Sequence, residues 1–168
     1  MNAVQQTELQ VEYGTGADAE NQYLTFILSN EEYGVDILRV QEIRGWESVT
    51  SVPNAPDYLK GVLNIRGTIV PIIDLRMRFD MEINEYGPTT VVIVLRVMDE
   101  DRERVMGIVV DAVSDTYEVP AENIKPAPDF GDKIDVEFVK GLAHVGESML
   151  ILLDIDKLLN SGELNMAV

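Results

Sequence analysis

Residues 58–79, YLKGVLNIRGTIVPIIDLRMRF, lie over residues 138–159, FVKGLAHVGESMLILLDIDKLL, at a constant offset of eighty with no gap. Lys60-Gly61 falls on Lys140-Gly141, Asp74 falls on Asp154, and the apolar run Ile69 to Ile73 falls on Met149 to Leu153. Upstream, Tyr23 to Leu28 resembles Val91 to Leu95, and Gly34 to Val40 resembles Gly107 to Val113, with different lengths between them. A period this long exceeds that of solenoid or propeller repeats, so it reads as a duplicated small domain. With 46% apolar residues in 168, the chain has enough core-forming material for one compact unit or two very small ones.

The apolar runs are short, rich in Val and Ile, and bounded by Gly, Pro, Asn or charged residues, which favours strands over helices. Strands are expected near 22–30, 33–39, 40–46, 61–66 and 68–73, and again near 88–98, 104–113, 114–119, 139–145 and 148–153. The stretch Asp36 to Ile43 also carries helical spacing at Ile37, Val40 and Ile43, but its β-branched content tips it toward strand. Gly67 and the pair Gly146-Glu147 stand where each unit's last two strands must reverse, as hairpins do. Asp74 and Asp154 each precede a segment able to form a turn or two of helix, where an aspartate can cap unpaired N–H groups. Asn160-Ser161-Gly162 supplies a stop. The fold class expected is mainly β, with two SH3-like five-stranded β-barrel subdomains and short helices. The organisation expected is a flexible extension over 1–20, two intertwined subdomains at about 21–86 and 87–160, and a tail over 161–168.

Thirty acidic against thirteen basic residues leave a net charge of −17, which repels nucleic-acid phosphates and anionic membrane surfaces. The longest apolar runs, such as Val91 to Leu95, are about a quarter of the ~20 residues a membrane-spanning helix needs. The first twenty residues are polar, with Glu8, Glu12, Asp18 and Glu20, and do not resemble a signal peptide. A cytoplasmic location is therefore expected, in keeping with a chain that has no cysteine.

Few residues invite a catalytic reading. There is no nucleophile elbow, zincin motif or Walker loop. His144 is the only histidine and reads as a partly buried strand residue. A pair of carboxylates, Asp74 and Asp154, could in principle serve an acidic hydrolase, but their shared context favours capping. On that reading Asp→Asn at either would barely change stability. The alternating charges of Asp99 to Arg104 read as a solvated, dispensable hairpin turn, and Trp46 as either packing or a ligand platform. Arg66 is more informative: its counterpart at the offset is Gly146, so the architecture does not demand an arginine there. Glu42, in the same unit, could pair with it or offer the opposite charge to a partner.

Six segments together resemble one family, the CheW chemotaxis coupling proteins: Glu31 to Leu38 (EEYGVDIL), Val40 to Gly45 (VQEIRG), Lys60 to Gly67 (KGVLNIRG), Ile69 to Arg76 (IVPIIDLR), Gly107 to Asp115 (GIVVDAVSD) and Met149 to Leu159 (MLILLDIDKLL). Their joint order and spacing carry the resemblance, which covers about 22–160. It implies two SH3-like barrels, no cofactor and no catalytic activity. It also implies a scaffold coupling methyl-accepting chemoreceptors to the histidine kinase CheA, through the kinase's regulatory domain and the receptors' cytoplasmic tips, at the inner face of the membrane. The matching positions expected to touch receptor or kinase are Val40, Glu42, Gly61, Asn64, Arg66, Val91 and Val92.

Overall fold

The computed structural model describes residues 21–82, 85–128 and 134–160. The expected extension over 1–20, the tail over 161–168 and the Gly162 stop lie outside the described residues. Among the described residues ten strands form: β1 (Gln22–Leu28), β2 (Glu31–Asp36), β3 (Val40–Gly45), β4 (Leu59–Ile65), β5 (Thr68–Asp74), β6 (Val91–Asp99), β7 (Arg102–Val110), β8 (Ala112–Glu118), β9 (Val139–Val145) and β10 (Ser148–Leu153). Two short helices, α1 (Leu75–Arg78) and α2 (Ile155–Leu159), follow β5 and β10. Their caps are Asp74, which accepts from the Arg76 N–H, and Asp154, which accepts from the Lys157 N–H. The ambiguous stretch resolves into both readings. Strand β2 stops at Asp36, whose side chain accepts from the Leu38 N–H and starts a single 3-10 turn, Ile37–Arg39, before β3 begins.

Two-residue reversals join the hairpins. Ser29 and Asn30 lie at φ 48° and 71°, and Arg66 and Gly67 at 50° and 89°, the doubly left-handed arrangement that matches strand twist. At the β9–β10 reversal the left-handed residue is Gly146, at 60°.

The strands assemble into two five-stranded sheets, ordered β8-β1-β2-β10-β9 and β3-β6-β7-β5-β4. Matching the strands of the two repeats gives both sheets the same order. Each takes its first hairpin from one repeat and its last three strands from the other. Residue 86 therefore does not divide the sheets: the chain crosses from the first to the second at Ile37–Arg39, and back at Asp111, which separates β7 from β8. The parallel pairs β2–β10 and β5–β7 that result repeat even in detail. A Cβ on Gly34 would come within 2.8 Å of Leu152, and one on Gly107 within 2.8 Å of Ile72, eighty residues earlier.

Apolar side chains follow the same scheme. Val70 and Ile72 sit in a cluster inside the second sheet, and their counterparts Leu150 and Leu152 in a cluster inside the first. A larger cluster between the sheets joins Phe26, Tyr33, Ile93 and Ile108 to Leu75 and Leu158 of the helices. Among the described residues no helix is long and apolar enough to cross a membrane.

The sheets are open, not the closed barrels expected. The outer edge of β4 is occupied by Thr50, which exchanges backbone bonds of 3.1 and 2.8 Å with Val62. Lys125 does the same to Leu142 of β9, at 2.8 Å each way. Gly61 and Gly141 make these approaches possible, since a Cβ on Gly61 would stand 2.3 Å from the Thr50 carbonyl oxygen, and one on Gly141 2.7 Å from that of Lys125. Gly61 also lies at φ 153°, outside the range side chains prefer. Gly61→Ala is expected to cost at least about 1–3 kcal/mol, the scale of a backbone forced from its preferred geometry. A melt that does not move would show that Thr50 can be displaced freely.

Candidate functional site

All seven residues singled out in the sequence belong to the second sheet. Val40 and Glu42 are on β3, Gly61 and Asn64 on β4, Arg66 in the β4–β5 reversal, and Val91 and Val92 on β6. Strands β3 and β4 are opposite margins of that sheet, yet Arg66 donates to a Glu42 carboxylate oxygen. The sheet therefore curls until a side-chain ion pair spans the gap its backbone leaves open. Glu42 also accepts from Arg44 at 3.1 Å, and Arg44 in turn reaches Glu47 at 2.9 Å. Burial pushes the Glu42 carboxyl up, but the bonds from Arg66 and Arg44 outweigh it and hold the group below its ordinary value.

The Arg66 side chain is 67% exposed, against 14% for Glu42. Asn64 is exposed too, and its side-chain oxygen accepts from the Gly67 N–H at 2.8 Å, bracing the reversal. Directly across from Asn64 is Ile69, an apolar residue left 54% exposed. Its counterpart Met149 is 45% exposed on the other sheet, opposite His144, which is itself exposed rather than partly buried. Ile69 was absent from the sequence-derived set. Its signal was an apolar residue at the second position of the strand after a reversal in both repeats.

The other residues of the set are placed differently. Val40 and Val91 are half-buried against the core between the sheets, near opposite ends of the β3–β6 pair. Val92 is 0% exposed and Gly61 is covered by Thr50, so neither presents a surface; both support the strands that do.

A second constellation went unrecognised in the sequence. Asp74, read as a simple cap, is fully buried, and both its oxygens bond Arg76, at 3.0 Å to Nε and 2.9 Å to Nη2. Arg76, also 0% exposed, reaches Asp111 at 2.7 Å, and the Tyr86 hydroxyl donates to Asp74. Burial would lower the Arg76 guanidinium, but Asp74 and Asp111 raise it well above its ordinary value. Burial, followed by the bond to Asp74, likewise lifts the Tyr86 phenol. Trp46 packs edge-on against Tyr86, with centroids 4.4 Å apart, which makes it a packing residue of this cluster. These carboxylates are occupied in internal bonds, a poor arrangement for acid–base work on a substrate. Among the described residues no group of three or more His, Asp or Glu could hold a metal ion.

The charged turn is not uniformly solvated. Glu100 and Asp101 form its exposed tip, whereas Arg104 is half-buried and donates to the Leu159 carbonyl at 3.2 Å and the Asn160 side chain at 2.9 Å, closing the end of α2.

Comparison with known proteins covers nearly the whole described chain. The model of the CheW-like domain matches residues 22–163. A chemotaxis protein CheW from Klebsiella aerogenes is 52% identical over 89% of this chain and 87% of its own length. A probable chemotaxis protein CheW from Rhizobium etli is 35% identical over 86% of this chain and 90% of its own. Among solved structures, the scaffolding protein TtCheW from Thermoanaerobacter tengcongensis superposes with a TM-score of 0.76, at 29% identity, over 85% of this chain and 90% of that one.

Proposed function

Because the chain belongs to the CheW-like domain family, we propose that it is a non-catalytic chemotaxis adaptor that couples methyl-accepting receptors to the histidine kinase CheA and so controls kinase activity. Its place in the cell is the cytoplasmic side of the membrane, held there by the receptors. The partners are the kinase's regulatory domain and the receptor's cytoplasmic tip. The contact face is the margin of the second sheet where Glu42, Asn64 and Arg66 meet, with Val40 and Val91 beside it and Gly61 and Val92 as support.

The observation that carries this reading is the exposed arginine at position 66, set on a left-handed backbone that glycine would occupy without cost. A non-glycine residue in the left-handed region costs about 1–3 kcal/mol, and the equivalent place in the other repeat holds Gly146. An exposed ion pair with Glu42 returns at most about 1 kcal/mol. Strand twist sets the left-handed backbone here as it does at Ser29, so what points to recognition is the exposed arginine chosen for that place, in a hairpin that also exposes Ile69, the composition of a binding hot spot.

A scaffold can transmit a receptor's change only by binding the kinase's two states unequally or constraining their geometry. Reconstitution tests this: purified protein, receptor fragments and kinase are expected to co-sediment, with autophosphorylation changed when the protein is added. Kinase activity indifferent to its addition, with cognate partners present, would refute the proposal.

A further inference from the structure

The two repeats exchange strands, and the exchange raises a question of partner choice. Each sheet consists of one hairpin and three strands drawn from different repeats. The same sheet order could be built from like repeats of two copies of the chain, which is the hazard of any exchangeable element. Something must favour the unlike pairing.

The point where the two repeats lock together is an ion pair, present once per sheet. In the second sheet Arg76 of α1 meets Asp111 at the β7–β8 crossing, at 2.7 Å. In the first sheet Asp156 of α2 meets Arg39 at the β2–β3 crossing, through two bonds of 2.8 and 2.7 Å. Positions 76 and 156 are equivalent at the offset of eighty. Their partners stand at the same strand crossing one register position apart, Arg39 matching Ala112 and Asp111 matching Leu38, so each crossing carries an ion pair to the equivalent helix position with the polarity reversed. The surroundings repeat as well. Asp111 accepts from the Ser29 N–H at the tip of the β1–β2 hairpin, at 2.8 Å, and Asp156 accepts from the Met98 N–H near the tip of the β6–β7 hairpin, at 2.8 Å.

We propose that this reversed polarity is a partner-choice device, which makes each repeat accept the other repeat of the same chain and reject the like repeat of a second copy. Pairing two first repeats would set Arg39 against Arg76. Pairing two second repeats would set Asp111 against Asp156. Both of these opposite-charge contacts would become like-charge contacts in such a dimer, and in the Arg39–Arg76 contact one member, Arg76, would be fully buried. Both assemblies use the same strand alternation and glycine approaches, and the charges oppose only one of them.

The test uses the full-length chain and the half-buried pair in the first sheet. Arg39→Asp combined with Asp156→Arg keeps an opposite-charge contact in the monomer, but makes like-repeat pairings opposite-charged too. Wild type and this double variant are refolded from denaturant at concentrations up to roughly millimolar, the effective concentration of a short tether. Mass is read by light scattering and fold by circular dichroism. Wild type is expected to return as monomer. The double variant should keep the wild-type melt and yield a β-rich dimer, with a dimer-to-monomer ratio at least about tenfold higher. Arg39→Asp alone should melt lower, since it opposes Asp156 in the monomer. Should the double variant not fold, Arg39→Gln with Asp156→Asn removes the repulsion without new charges, and must also raise the dimer. Monomer alone from the variants that fold, as from wild type, overturns the proposal.

Discussion

Asp74→Asn is expected to remove about 3–5 kcal/mol of stability, the cost of breaking a buried ion pair by deleting one partner. Asp154→Asn should remove less than about 1, because asparagine is itself a good cap. The two aspartates are equivalent in the repeat and both cap a helix, but they differ in what else they touch. Asp74 is 0% exposed and holds both the Nε and an Nη of Arg76, which is equally buried, while accepting from Tyr86. Asparagine preserves the cap to the Arg76 N–H but removes the full negative charge that faces the buried guanidinium. At the corresponding place α2 carries Asp156, bonded to Arg39, and Asp154 is left as a half-exposed cap. Denaturant titration of both variants, with unchanged slopes, measures the difference. Equal losses would mean that the Asp74 charge adds nothing to the hold on Arg76.

Arg66 variants should separate binding from stability. Arg66→Glu sets like charge against Glu42 and reverses the charge shown to a partner; partner pull-down is expected to fall more than tenfold while the melt changes little. Arg66→Gly is the sharper variant. Glycine relieves the left-handed strain, so stability should rise by about 0.5–1 kcal/mol even as binding is lost. A protein that becomes more stable and less functional at one position is trading stability for recognition. If Arg66→Gly binds receptor and kinase as wild type does, the arginine is ornamental and the docking face lies elsewhere.

Much of the architecture could be read from local signals. Strand alternation, the hairpin reversals at Gly67 and Gly146, and the caps at Asp74 and Asp154 all depend on a few neighbouring residues. The Arg66–Glu42 contact was anticipated as one of two options because a charged residue stood where its repeat had glycine. The Tyr86–Asp74–Arg76–Asp111 cluster was not, since its members are up to 37 positions apart, as Asp74 and Asp111 show, and none departs from an ordinary surface composition.

Duplication, strand content, reversals and the family were thus determined by the amino-acid order alone, because each rests on a period or a short motif. Which hairpin joins which three strands was decided only in three dimensions. The repeats offer nearly the same apolar edge to either choice, so local pattern is silent between them. The decision falls to contacts between segments far apart in the chain, above all the ion pairs Arg39–Asp156 and Arg76–Asp111, whose opposite polarities become visible once the crossings are seen side by side.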